Sequence, residues 1–193
     1  MAEEIQDRPA RYEDLYALPE NRVGEILGGD LVTHPRPGPR HANSASRLGM
    51  VVGPPFDMGS GGPGGWWILD EPELHLDDDI LVPDLAGWRR ERMPELPDTA
   101  WFEVVPDWVC EVVSPGTART DRVLKMPRYA RHGVGWCWMV DPANRTVEAF
   151  QRSDAETWLL VGTVAEAMEA ALPPFDAVTL DFAPLWADTP APE

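Results

Sequence analysis

Two carboxylates stand inside otherwise apolar runs: Asp84 in ILVPDLAGW at 80–88 and Glu111 in WVCEVV at 108–113. Strand alternation places Val109, Glu111 and Val113 on one face and Cys110 and Val112 on the other. On a central strand both faces are buried, and an ionised carboxylate there is costly unless it is paired or holds a metal. The competing reading is an edge strand with Glu111 in solvent. Asp84 follows Pro83, which cannot donate to a strand ladder and so marks an edge or a distortion that can re-aim the next side chain. The competing reading here is a plain turn at a strand end. Brought together, the two acids repel, and a divalent cation is their natural partner. Oxygen-only ligation favours Mg²⁺ or Mn²⁺ over zinc.

The third group is Lys125, the only lysine among sixteen basic residues. A lysine that survives such a skew toward arginine marks a place where a compact ammonium is needed and a planar guanidinium will not serve. Asp121, Lys125 and Tyr129 recur at i, i+4 and i+8 on one helical stripe. If the stripe faces the sheet, Lys125 points at the carboxylates; otherwise it is a solvated helix lysine.

The elements that must position these groups can be read coarsely. Residues 11–18 form a short helix, 22–33 a hairpin turning at Gly28-Gly29, 34–40 a proline-rich connector and 41–52 a helix. Gly53 to Gly65 reads as a Gly/Pro loop. Strands follow at 66–70, at 80–88 (interrupted by Pro83) and at 108–113. Residues 119–132 read as a helix ended by Gly133 and kinked or split at Pro127. Strands at 135–141, 146–151 and 157–161 precede a short helix at 163–171. This order is a mixed α/β architecture with a central sheet flanked by helices. One domain over 11–186 accommodates it, with tails at 1–10 and 187–193.

Composition narrows the function classes. No apolar run reaches the ~20 residues a membrane helix needs, and the acidic, polar N-terminus is not a signal peptide, so a cytoplasmic protein is expected. The net charge of −17 argues against a generic charge-driven nucleic-acid binder. Two cysteines with no secretory signal read as buried thiols, and a strand-buried Cys110 is a poor nucleophile. Asp77-Asp78-Asp79 lacks calcium-loop spacing and reads as a solvated turn. The tryptophans at 66, 67, 108, 136 and 138 read as core.

The ordered segments RVGEILGGDLVTHPRPGPRH at 22–41, LVPDLAGWRRER at 81–92, EVVSPGTARTDRVLKMPRYARHGV at 111–134 and WMVDP at 138–142 resemble the Uma-two family, long classed as a domain of unknown function. That family falls within the PD-(D/E)XK nuclease superfamily of restriction-endonuclease-like proteins. The resemblance implies such a fold and an Mg²⁺-dependent endonuclease acting on DNA. It implies metal ligation by Asp84, Glu111 and the Val112 carbonyl. The superfamily's usual lysine lies two residues after the glutamate, where this chain has Val113, so Lys125 reads as its migrated replacement. Glu25 is the candidate upstream acid, against an exposed hairpin position, and His41 matches a family position, against a helix-cap or surface histidine. Tyr129 either positions Lys125 or fills the core, the core being favoured. The alternative function is a catalytically weak or inactive nuclease-fold protein that binds nucleic acid or a protein partner. A homodimer would suit cleavage of two strands.

Overall fold

The alternation of Trp108–Val112 organises the molecule, because this strand is buried on both faces. Trp108, Cys110 and Val112 enter one hydrophobic core with Leu48, Val52 and Phe56. Val109 and Val113 enter a second core with Val134, Cys137 and Met139. The structure, a computed structural model, describes residues 8–166 and 168–187. The tails expected at 1–10 and 187–193 lie mostly outside the described residues. Residues 8–10 are nonetheless held: Ala10 N–H donates to Gly29 O, and Arg8 pairs with Asp14.

A short helix α1 (Tyr12–Tyr16) precedes the hairpin β1 (Arg22–Leu27) and β2 (Asp30–Pro35). Gly28 and Gly29 turn it at positive φ (66° and 86°), where a residue with a Cβ would be strained. Helix α2 (Pro39–Phe56) is followed by β3 (Trp66–Asp70), β4 (Leu74–Leu76), β5 (Asp79–Leu81), β6 (Leu85–Arg89) and β7 (Trp108–Val112). A π-helical segment (Thr120–Lys125) then leads into α3 (Met126–His132), β8 (Trp136–Asp141), β9 (Thr146–Arg152), β10 (Trp158–Ala165), β11 (Glu169–Ala170) and β12 (Leu180–Asp181). A 3₁₀ turn, Ala183–Trp186, closes the described chain. The large sheet has the order β10-β9-β8-β7-β6-β3, antiparallel except for the β7–β8 pair. The smaller sheet is β2-β1-β5-β4.

Four expectations are corrected. The strand expected over 80–88 is two strands in different sheets: β5 pairs with β1 and β4, and β6 pairs with β3 and β7. Pro83, with no N–H to offer a ladder, sits in the step between them. Helix α2 runs past residue 52 and holds Pro54 and Pro55 in its last turn. Its buried stripe Ser44, Leu48, Val52 and Phe56 continues at helical spacing and carries the helix through them. The described residues of 163–171 are not helical: β10 extends to Ala165, with Val164 buried opposite Val147. Its Ala and Glu residues favour helix, but burial against β9 overrides propensity.

The fourth correction concerns Asp79, which is buried rather than part of a solvated turn. Its Oδ1 accepts from Gly28 N–H at 2.6 Å and from Arg128 Nε at 3.1 Å. Its Oδ2 lies 2.8 Å from Arg131 Nη2 and 2.7 Å from His132 Nε2. The carboxylate thus ties the hairpin turn and β5 to α3. Burial opposes its charge, but the His132 and Gly28 hydrogen bonds and Arg128 outweigh that and hold its pKa below the usual value. Asp79→Ala should cost about 3 kcal/mol, the low end for breaking a buried pair because Arg131 is largely exposed. Because the pKa is depressed, this stability is present above about pH 4 and disappears as pH falls through the native value. Thermal denaturation of both proteins from pH 7 to pH 3 should therefore show the gap closing; a constant gap would contradict the assignment.

Candidate active site

Glu111 sits on β7, fourth in the six-stranded order, and is 2% exposed. Solvation is not available to it, so neighbours must supply the compensation. Tyr129 Oη donates to Glu111 Oε1 at 2.6 Å, and Lys125 Nζ lies 2.8 Å from the same oxygen. Glu25 reaches the lysine from β1 of the other sheet, its Oε1 2.9 Å from Nζ. It too is buried, contrary to the exposed hairpin position.

The backbone of Val82, in the step between the sheets, completes this core. Its N–H donates to Glu25 Oε1 at 2.8 Å, and its carbonyl accepts from Lys125 Nζ at 3.0 Å. The ammonium's three donors therefore match three acceptors, Glu25, Glu111 and Val82 O. The remaining Glu25 oxygen, Oε2, is buried without a hydrogen bond and has His34 Nε2 3.9 Å away.

Local structure explains how Lys125 and Tyr129 arrive together. Lys125 ends the π-helical segment, where Met126 N–H bonds back to Asp121 O in an i→i+5 step. Short π segments of this kind are frequent at functional sites. Pro127 in the first turn of α3, with no N–H to give, marks the change from one winding to the other. Across that junction Asp121, Lys125 and Tyr129 are all buried on the sheet-facing side.

Asp84 and His41 form a second group on the same cavity of about 170 Å³. Asp84 Oδ2 accepts the Val112 N–H at 2.6 Å, so its carboxylate caps the end of the strand that carries Glu111. His41, in the first turn of α2, places Nε2 3.3 Å from Asp84 Oδ2 and is neither a cap nor a surface residue. Glu71 and Asp121 also line the cavity.

The electrostatics are lopsided, with five carboxylates (Glu25, Glu71, Asp84, Glu111, Asp121) around one lysine, one arginine (Arg36) and two histidines, His34 and His41. Burial pushes the Glu111 carboxyl well above its usual range; Lys125 opposes this, while Asp121, Asp84 and Glu25 add to it. Burial likewise raises Asp121. Burial disfavours the Lys125 charge, but Glu111, Glu25 and Asp121 outweigh it and hold the ammonium above its ordinary pKa. His41 is also raised, because Asp84 outweighs the effect of burial. The buried Cys110 thiol is pushed up and is inert as a nucleophile.

Of the residues singled out from sequence, Glu25, Glu111, Lys125 and Tyr129 meet directly, and Asp84, His41 and Val112 meet beside them. Val113 fills the usual lysine position and is buried in the second core. Sequence reasoning placed Asp121 on the stripe of Lys125 without naming it a site residue. The backbone of Val82 was missed, and no side-chain signal could have revealed it.

A family model described as "Uma2: Putative restriction endonuclease" matches residues 9–183. Among solved structures, the chain resembles one described as a putative nuclease belonging to DUF820 from Anabaena variabilis. The TM-score is 0.72 at 20% identity, over 93% of this chain and 98% of that one. At that identity the likeness shows the fold. No curated protein matches.

Removing Lys125 would leave Glu25 and Glu111 buried without a counter-charge. Lys125→Met should lower unfolding stability by about 3–5 kcal/mol near neutral pH. A carboxyl whose native pKa is raised gives stability that is full below its unfolded pKa and is lost as pH rises through the native value. The variant should therefore recover on acidification, being more stable relative to wild type at pH 5 than at pH 8. Chemical denaturation at both values checks this, and unchanged stability at both would contradict the buried triad.

Proposed function

The chain belongs to the Uma2 family of putative restriction endonucleases, and from that premise we propose that it is an endonuclease that hydrolyses DNA phosphodiester bonds with Mg²⁺ or Mn²⁺. The observation that carries this reading is the hydrogen bond from Val112 N–H to Asp84, which brings the second carboxylate to the strand end beside Glu111, on one cavity with Lys125.

The donor set fits a hard dication. Among the described residues no three His, Cys, Asp or Glu side chains are already gathered as ligands. Mg²⁺ does not need three, because it keeps several waters and is commonly held by one or two carboxylates. Asp84 and Glu111 would supply those. In an extended strand a residue's N–H and C=O face the same edge, so the Val112 carbonyl faces the Asp84 side and would supply a third oxygen. The Glu111 carboxyl, raised by burial and further by Asp121, Asp84 and Glu25, is one whose charged form a nearby cation would favour.

When bound, the cation supplies Lewis-acid neutralisation of phosphate charge and lowers the pKa of water. The chain's own residues supply the rest. Tyr129 fixes the orientation of Glu111 by donating to Oε1. Lys125, held charged, sets a positive potential behind the carboxylates and lies at the cavity wall, where it would stabilise charge developing on phosphate. Lys125 is thus the proposed third catalytic group, and Glu25 its positioning residue.

The saturation of Lys125 favours the second reading, a nuclease-fold protein of weak or no activity that acts as a binding module. An ammonium whose three protons are already bound has none free for water or phosphate unless Glu25 releases one. Plasmid nicking separates the two readings. Wild type with Mn²⁺ or Mg²⁺ should convert supercoiled to open-circular DNA, and Asp84→Asn and Glu111→Gln should each lose at least about 100-fold, the scale of a lost charge-stabilising group. Lys125→Met should lose activity at a pH where it remains folded. If pure wild type nicks no faster than the double carboxylate variant, the binding-module reading stands.

A further inference from the structure

A protein of net charge −17 that takes DNA needs a place where the acids are absent. The longest such place is explicit in the sequence. No Asp or Glu lies between Asp30 and Asp57, although acids make up 33 of the 193 residues. The same stretch carries Arg36, Arg40 and Arg47. In the structure it forms β2, the 36–38 connector and α2, one stretch of chain whose residues 34–38 and His41 line the candidate cavity.

The charges on this surface are unspent. Elsewhere most basic side chains sit within ion-pair distance of a carboxylate, as Arg90, Arg92, Arg122, Arg128, Arg131 and Arg152 do. Among the described residues Arg36, Arg40 and Arg47 have no carboxylate partner. Arg36 and Arg40 are exposed, and Arg47 is half-buried. Arg36 is steadied by Nε donating to Glu20 O, which leaves its terminal nitrogens available, and it lines the candidate cavity itself. Arg40 adjoins His41, another cavity residue. Arg40 and Arg47 lie seven residues apart, two turns along α2 and on one face. The first turn of α2 has no acid and no side-chain cap, so its positive end is not neutralised there. Acids that adjoin it are Glu20, whose backbone carbonyl accepts from Arg36, Asp84 against His41, Glu71 on the cavity wall and Asp70, whose Oδ1 lies against Gly49.

We propose that Arg36, Arg40 and Arg47 form the phosphate-docking track that receives a DNA backbone and leads it across the mouth of the candidate cavity. Segregating the acids from this one surface lets a strongly acidic protein hold a polyanion locally, while the rest of the molecule repels non-productive contacts. Contacts of this kind position the duplex without reading sequence. The inference rests on the nuclease reading of the site and deepens it.

The test is binding of a short fluorescein-labelled DNA duplex in chelator, so that nothing is cut, across a salt series. Each phosphate contact contributes roughly 0.9 to the slope of log K against log salt. The Arg36→Gln/Arg40→Gln/Arg47→Gln variant should show a slope shallower than wild type by about 2.7, with weaker binding at low salt. Replacing all three by lysine, which keeps the charge, should restore most of the slope. Arg11→Gln, an exposed arginine that is no part of the candidate cavity's lining, serves as the control and should behave as wild type. Circular dichroism and thermal midpoint establish that each variant is folded. If the glutamine variant is folded and keeps the wild-type slope, or if the lysine variant fails to recover it, the track is wrong while the nuclease reading stands. If wild type neither binds the duplex nor nicks plasmid with metal, the nuclease reading itself falls and takes the track with it.

Discussion

Everything at the centre of this molecule depends on keeping one ammonium charged at 3% exposure. A lone buried lysine would lose its proton, since burial disfavours the charged form. Here two carboxylates from different sheets, Glu25 on β1 and Glu111 on β7, lie within 2.9 Å and 2.8 Å of it, and a backbone carbonyl takes the third proton. Such a triad adds little net stability, because desolvating three ions offsets much of their attraction. Its value is geometric. It fixes where the two sheets meet, and it does so at the point where a reaction would occur.

The step at Val82–Asp84 is the structural counterpart of that charge. The chain leaves the small sheet after Leu81 and joins the large one at Leu85. In three residues it spends the Val82 N–H on Glu25, the Val82 carbonyl on Lys125, and the Asp84 side chain on the Val112 N–H. Pro83 stands between them and needs no partner for a missing N–H. The segment is therefore sheet junction and cavity wall at once. Lys125 bonds to its Val82 carbonyl and in turn holds Glu111, to which Tyr129 donates, and His41 on α2 meets its Asp84.

Much of this was legible because burial of charge leaves a mark in sequence. Glu111 interrupts an apolar strand, and an isolated acid with apolar neighbours on both faces demands a partner. Lys125 stood out only through the skew toward arginine, and its direction came from the stripe it shares with Asp121 and Tyr129. Glu25 was harder, because RVGEILGG reads equally well as a hairpin with its glutamate in water; only pairing of β1 with β5 buries it. The division of 80–88 between two sheets was not legible, since a proline inside an apolar run marks a break but not which partner each half will find. Nor was the role of Asp79, hidden in an Asp-Asp-Asp run whose first two members are exposed and whose third is buried. Residues 163–171 misled because helix propensity is local, whereas the pairing of Val164 with Val147 is not.

The excess of carboxylates over cations around the cavity is the feature that most needs a counter-ion, and the central claim is that Asp84 and Glu111 hold one. Isothermal calorimetry with Mn²⁺ tests it without requiring catalysis. The account predicts a saturable heat for wild type that is absent from the folded Asp84→Ala/Glu111→Ala variant. Equal heats for the two proteins, or no saturable heat for wild type, would contradict it.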